Sequence, residues 1–222
     1  MSISLGVTEY PRGRLLYRGA EADVILGDWQ GLEAVFKIRK PLTYRLPVLD
    51  EAIRRQRTVH EAEMIRLAKK AGVTSPFLYN VDIQSSTLVM QFVKGDRVKD
   101  LVASLTGIQL DGTFFDFGQD VARLHRFGIM HGDLTTANVV RSNEQLVFID
   151  FGLSVRTERV EDHAVDLRLI KETLVGAHSE VSARALEALN RGYSSVVGPA
   201  RSHEVMKQLQ NIERRGRYAR VT

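Results

Sequence analysis

Residues 131–152, HGDLTTANVVRSNEQLVFIDFG, constrain the fold of this chain more than any other stretch. Two apolar runs, Val139-Val140 and the Leu-Val-Phe-Ile of 146–149, flank the polar Ser142-Asn143-Glu144-Gln145, a pattern that reads as a β-hairpin. Asn138 enters its first strand and Asp150 leaves its second, so both emerge at the mouth of one hairpin. Asp133 follows the apolar pair Ile129-Met130, Asn138 comes five residues after it, and Phe151-Gly152 follows Asp150. The order is loop, short strand, turn, strand, loop.

Phosphoryl transfer asks a protein mainly for positioning and charge neutralisation, because negative charge spreads over the phosphate oxygens in the transition state. Mg²⁺ takes hard oxygen ligands, which the carboxylate of Asp150 and the amide oxygen of Asn138 supply. Asp133 is placed to orient a hydroxyl or water and accept its proton. Together, His-Gly-Asp, the asparagine five residues later and Asp-Phe-Gly resemble the catalytic and metal-binding loops of the protein-kinase-like fold. Each motif alone is also ordinary turn chemistry; the three in this order point to a kinase-like site.

Bulk properties set outer limits. With 222 residues, 44% hydrophobic and 26% charged, the chain has the make-up of a soluble globular protein large enough for one two-lobed domain, though short for a full protein kinase. It has no cysteine, which rules out disulfides and thiolate metal sites and fits a reducing cytoplasm. No basic start precedes an apolar segment and no apolar run reaches 18 residues, so neither a signal peptide nor a membrane span is expected. Residues 198–222 hold six basic and two acidic residues, which accounts for the whole net charge of +4. Residues 37–70, with ten basic and four acidic residues, are also locally basic and would suit a polyanion, although a solvated helix face is the commoner meaning of such a run.

Before the catalytic stretch, the pattern predicts strands on either side of Gly19, a turn at Gly27-Asp28, and a strand over residues 33–39. Gly19 stands where a kinase-like fold carries its phosphate-covering loop, but only one glycine of that loop is present. Alternation puts Val35 and Lys37 on one strand face and Ala34, Phe36 and Ile38 on the other. The resemblance gives Val35 the cover of adenine and Lys37 the α and β phosphates. A long helix is expected from about Asp50, its capping residue, to Gly72. A lysine near phosphates needs an anion to hold its direction; Glu61, beside the apolar stripe of Ile53, Ala62, Ile65 and Ala68, is chosen over Glu63. The strand over residues 88–93 resembles the kinase hinge, with Met90 behind the adenine and the backbone of Gln91 and Val93 facing it; the lobe boundary falls near Gly95.

Residues 113–127 form an amphipathic helix with Phe114, Phe117, Val121 and Leu124 on its inner stripe. His125 is read as packing or surface, His131 as a brace for the loop. Only 70 residues follow Gly152, too few for a long activation segment and a large peptide-binding lobe, and Gly132 occupies the place of the arginine that reads activation-loop phosphorylation. A helix starting at residues 161–167 brings Asp166, a candidate for bonding the catalytic-loop backbone or for simple capping. Further helices are expected over 181–193 and 202–212. The terminal Arg214-Arg215-Gly216-Arg217-Tyr218-Ala219-Arg220 makes an arm suited to phosphates and stacked bases.

HGDLTTAN, the Glu-Asp-His-Ala-Val-Asp-Leu of 161–167 and the terminal arginine arm together resemble one family, the small RIO-like kinase/ATPase subunit of the KEOPS complex, over essentially the whole chain. His163 departs from that family's lysine. The resemblance implies an α+β fold: a minimal two-lobed kinase with an antiparallel sheet and long helix in the N-lobe (1–95), a reduced, mostly helical C-lobe (96–213) and a basic arm (214–222). It implies ATP and Mg²⁺ as cofactors, with Lys37, Glu61 and Asp133 catalytic, Gly19, Val35, Met90, Gln91 and Val93 around the nucleotide, and Asn138 and Asp150 on the metal. It further implies a serine/threonine-kinase-like ATPase that supports threonylcarbamoylation of tRNA beside a synthase subunit and a small KEOPS subunit at the N-lobe, with Arg214, Arg215, Arg217, Tyr218 and Arg220 on RNA. An aminoglycoside- or choline-type phosphotransferase and a non-catalytic nucleotide-binding scaffold are the alternatives.

Overall fold

Period-two patterning over residues 22–39 becomes two strands whose covered face holds Ile25, Ala34, Phe36 and Ile38, packed with Val89 and edged by Trp29 and Tyr79. The structure is a computed structural model and describes residues 12–218. Strands β1 (Gly13–Arg18), β2 (Ala22–Trp29) and β3 (Leu32–Arg39) come first, then helix α1 (Pro47–Lys70) and strands β4 (Leu78–Asp82) and β5 (Thr87–Gln91). The five strands form an antiparallel sheet in the order β1-β2-β3-β5-β4. The expected turn at Gly27-Asp28 is corrected: β2 runs through both, pairing them with Ala34 and Glu33. The turn falls at Gln30-Gly31, φ 54° and 83°, the left-handed pair that a two-residue hairpin requires.

Helix α1 also starts earlier than Asp50. Proline suits the first helical position, where its missing N–H costs nothing. Asp50 lies inside the first turn, where its carboxylate accepts from the Leu42 N–H (3.3 Å) and Arg54 Nε (2.7 Å). Burial pushes its pKa up, but those bonds and the charges of Arg54 and Arg45 hold it below the ordinary carboxylate value. At the other end the expectation holds. Gly72, at φ 83°, donates to Lys69 O, and Val73 donates to Ala68 O, closing a Schellman motif.

The chain divides into two units, one ending at Glu63 and resuming over Pro76–Phe92, the other made of Met64–Ser75 and everything from Val93 onward. The division thus falls before Gly95, and the last turns of α1 group with the second unit. That unit continues with β6 (Asp96–Arg97), α2 (Val98–Leu101), α3 (Gly107–Arg126) and β7 (Ile129–Met130). A 3₁₀ turn over Thr136–Asn138 leads into β8 (Val139–Ser142) and β9 (Gln145–Phe148); β10 (Val155–Arg156), α4 (Val160–Ala177), α5 (Ser179–Val197) and α6 (Pro199–Tyr218) complete it. The strands pair as β6-β8-β9 and β10-β7. Helices α3 and α5 approach closely through glycine: a Cβ on Gly118 would lie 2.0 Å from Leu189 O, and one on Gly192 1.9 Å from Phe115 O. Phe114, Phe117, Val121 and Leu124 are fully buried, as the stripe predicts.

The α+β class and the antiparallel sheet with a long helix are therefore as expected, as is the mainly helical remainder. The terminal arm differs. Helix α6 does not stop at residue 212 but carries Arg214 and Arg215 as exposed residues of its last turns.

Candidate active site

The hairpin at 139–148 forms with the predicted turn, Asn143 and Glu144 at φ 47° and 63°. Val139 pairs with Phe148, and the Ile149 N–H donates to Asn138 O at 2.9 Å. This last bond holds Asn138 against the residue before Asp150, so the two polar side chains leave the hairpin side by side. Asp150 is exposed and sits in the left-handed region at φ 62°. That is a costly conformation for a residue with a Cβ, and such strain collects at functional sites.

Asn138 Nδ2 donates to Asp133 twice, to Oδ2 at 2.8 Å and to the backbone O at 2.9 Å. Both amide protons are thus engaged, an assignment made from the hydrogen-bond network, and Oδ1 is the end of the amide left for a cation. One carboxylate and one amide oxygen are hard donors that fit Mg²⁺ better than any softer ion. Among the described residues no group of three or more His, Cys, Asp or Glu could hold a metal. A Mg²⁺ ion at Asn138 and Asp150 would accordingly complete its shell with phosphate oxygens and water.

The loop carrying Asp133 is anchored from below. Asp166, fully buried on α4, accepts from the backbone N–H of His131 (2.6 Å) and of Gly132 (2.9 Å), and lies 3.2 Å from His125 Nε2. Of its two readings, loop anchor or helix cap, the structure selects the anchor. Burial pushes Asp166 up, while the bond and charge of His125 and the neighbouring His131 hold it below the usual carboxylate range. With Asp166 ionised, His125 donates through Nε2 and accepts at Nδ1 from the Tyr193 hydroxyl, 2.9 Å away; burial pushes the pKa of that hydroxyl up. His125 is therefore a buried link and not a surface residue. His163 stacks on it, centroids 4.1 Å apart and 6° from parallel. Burial pulls His163 down to about 4, with the charge of His125 acting in the same direction. His131 braces the loop as expected: its Nε2 lies 3.2 Å from Ile149 O and its Nδ1 3.4 Å from the Asp133 N–H. Burial lowers its pKa although Asp166, Asp150 and Asp133 favour the charged form.

The first unit carries the second group of side chains. Lys37 Nζ donates to Glu61 Oε1 at 2.8 Å, and Glu61 is 1% exposed whereas Glu63 is exposed. Val35 and Lys37 share the less buried face of β3, as alternation predicts. Sequence reasoning missed Arg39, whose Nη2 lies 2.5 Å from Glu61 Oε2; its signal was the same period of two that placed Lys37. The backbone of Gly19 is already engaged, its N–H donating to Ala22 O and its O accepting from Lys40 Nζ. Met90 is buried in β5, and the Gln91 N–H donates to Phe77 O at 2.8 Å. Val93 belongs to the second unit. Much of the locally basic run is ion-paired: Arg39, Lys40, Arg45, Arg54, Arg55 and Arg57 each reach a carboxylate.

A sequence profile of the RIO domain matches residues 49–170. KEOPS complex subunit Bud32 of Pyrococcus abyssi is 33% identical over 211 residues, covering 92% of this chain and 96% of that one. The chain belongs to the Bud32 family of RIO-domain proteins. Within it, EKC/KEOPS complex subunit bud32 of Dictyostelium discoideum is 33% identical, covering 92% of this Bud32-family chain and 83% of its own length. A probable bifunctional tRNA threonylcarbamoyladenosine biosynthesis protein of Methanosarcina mazei is 36% identical, and the chain spans 36% of that longer protein. In fold the chain is similar to WaaP solved with acyl carrier protein, at TM-score 0.64, 14% identity and coverage of 94% and 89%. It is likewise similar to the Rio2 kinase of Chaetomium thermophilum solved with ADP/Mg²⁺ and phosphoaspartate, at TM-score 0.61, 16% identity and coverage of 95% and 72%.

For this Bud32-family chain, the arm is described only in part. Arg214 Nη2 bonds Asn211 Oδ1 and Arg215 Nη1 lies 3.9 Å from Glu161 Oε1. Arg217 and Tyr218 belong to the end of α6, and Arg220 lies outside the described residues. No helix among the described residues is long and apolar enough to cross a membrane.

Proposed function

We propose that the chain is a Mg-ATP-dependent, serine/threonine-kinase-like ATPase subunit of a KEOPS complex, supporting threonylcarbamoyladenosine synthesis on tRNA. Family membership and the kinase-like fold support the assignment. The observation that carries the chemistry is the pair of hydrogen bonds from the Asn138 amide to Asp133, which leaves Asn138 Oδ1 as the end of the amide for a cation. In this reading Asn138 and Asp150 hold the metal, and Asp133 orients a hydroxyl or water and takes its proton as oxygen attacks the γ-phosphorus and the bond to ADP breaks. Bound Mg²⁺ supplies neutralisation of the phosphate charge. Lys37, aimed by Glu61, binds the α and β phosphates; Val35, Met90, the Gln91 carbonyl and Val93 surround the adenine, with Gly19 in the covering turn.

The partners in this reading are the KEOPS synthase subunit, a small KEOPS subunit at the first unit and tRNA, and the setting is the cytoplasm. Thr135 and Thr136 stand where protein kinases place a lysine after the catalytic Asp, which suits water or the chain's own hydroxyls as acceptors. Measuring ATP turnover alone, with tRNA and with an aminoglycoside tests this directly. The reading predicts Mg²⁺-dependent turnover that responds to tRNA and not to the aminoglycoside. Turnover stimulated only by the aminoglycoside, or no nucleotide binding at all, would contradict it.

A further inference from the structure

Tyr193 is wholly buried on α5, and its hydroxyl lies 2.9 Å from His125 Nδ1 on α3. A buried hydroxyl is costly unless it is bonded, so a tyrosine in this core needs the histidine as its partner. Gly192 brings the two together: α5 lies so close to α3 there that a Cβ would sit 1.9 Å from Phe115 O. Burial raises the pKa of Tyr193, so the hydroxyl keeps its proton and stays a donor.

His125 passes the contact on. Its Nε2 lies 3.2 Å from Asp166 Oδ2, the same oxygen that accepts from the His131 N–H at 2.6 Å, while Asp166 Oδ1 accepts from the Gly132 N–H at 2.9 Å. Asp133 is the next residue. A neutral imidazole has one N–H and one lone pair; here the N–H serves the carboxylate and the lone pair takes the hydroxyl. Turning the ring over would set Cε1 against Asp166 and Cδ2 against Tyr193, losing both bonds at once. The stack with His163 holds the plane of the ring, 6° from parallel, but does not choose which edge meets which partner. The hydroxyl of Tyr193 makes that choice. On its far side the loop has no slack, since a Cβ on Gly132 would lie 2.2 Å from Leu153 O. We infer that Tyr193 is a positioning residue for the catalytic loop, acting from α5 through His125 and Asp166 on the backbone that carries Asp133. The consequence for catalysis rests on the Mg-ATP reading above, whereas the link itself does not.

Amide hydrogen exchange of the full chain without ligand, wild type against Tyr193→Phe, reads the link independently of any activity. Exchange at the His131 and Gly132 N–H groups should quicken about tenfold, which is what one buried hydrogen bond is worth, while the amides of α3 and α5 keep their wild-type rates. His125→Phe cuts the same chain one step nearer the loop and must give the same pattern at these two amides, which decides the matter should Tyr193→Phe not fold. In the His125→Phe background Tyr193→Phe should add nothing further. Unchanged exchange at His131 and Gly132, an equal rise throughout α3 and α5, or additive effects in the double variant would each overturn the inference. In turnover, Tyr193→Phe should lower kcat for ATP about tenfold at unchanged KM, because a misplaced base loses rate without losing substrate. Quickened exchange with wild-type kcat, or a rise in KM alone, would overturn the positioning role. A wild type that does not hydrolyse ATP overturns the reading above and leaves the exchange pattern to decide the link.

Discussion

At the scale of single residues, the placement of several proposed site residues was legible in the sequence. Asp133, Asn138 and Asp150 were readable because their spacing is fixed locally by one loop and one hairpin, and Glu61 because it lies beside a stripe that must be packed. Arg39, His125 and Tyr193 were not, since their partners come from elements distant in the chain. Asp120, a partly buried carboxylate on α3, was not singled out either, because its burial comes from packing. Burial raises its pKa to about 6 despite the partner Arg123, with Asp116 adding to the rise. A raised carboxylate pKa means that the native state binds the proton more tightly than the unfolded chain. The stability it contributes is then present below about pH 4 and is lost as pH rises through about 6. Asp120→Asn is therefore expected to be more stable than wild type at pH 7.5, by about 1 kcal/mol after allowing for screening and the lost Arg123 pair. The difference should vanish near pH 4. Urea denaturation at the two pH values checks both the sign and the window.

At the scale of elements, type was readable and boundaries were governed by features that the apolar pattern does not carry. Pro47 starts α1 a turn early, Gln30-Gly31 moves the β2–β3 turn, and Gly118 and Gly192 sit inside helices for a packing reason that only the fold reveals. Helix α6 runs on through Glu213, which pairs with Lys171 at 2.6 Å, into the arginines. The β8–β9 turn was legible as a turn, yet its second residue, Glu144, is not one that the left-handed conformation favours. Its φ of 63° places a Cβ where glycine has none, and its ion pair with Arg141 is largely exposed. Glu144→Gly is thus expected to stabilise the chain by about 0.5–1 kcal/mol, the relief of left-handed strain exceeding the added backbone entropy and a weak surface pair. The midpoint of thermal unfolding should rise, and Glu144→Val, a branched residue at the same position, should lower it.

At the scale of the whole molecule, the net charge of +4 is concentrated in residues 198–222, whereas seven of the ten basic residues over 37–70 reach a carboxylate. On the proposed function, electrostatic attraction for RNA is expected of the C-terminal segment. Each arginine that meets a phosphate releases counter-ions, giving a log-log salt slope of roughly −0.7 to −0.9 per contact. Deleting residues 214–222 should leave basal ATP hydrolysis largely unchanged while reducing both tRNA affinity and its salt slope, measurable by filter binding at two ionic strengths. A drop in melting temperature with unaltered RNA affinity would mean that the arm only packs on its own unit. The central claim concerns the metal-dependent nucleotide site, and equilibrium ATP binding and turnover by Asp150→Ala, with and without Mg²⁺, tests it most directly. Asp150 is exposed, so the variant should fold as wild type does and still bind adenosine, while losing the Mg²⁺ dependence of ATP binding and all turnover. A folded Asp150→Ala protein with wild-type, Mg²⁺-dependent turnover would contradict the account.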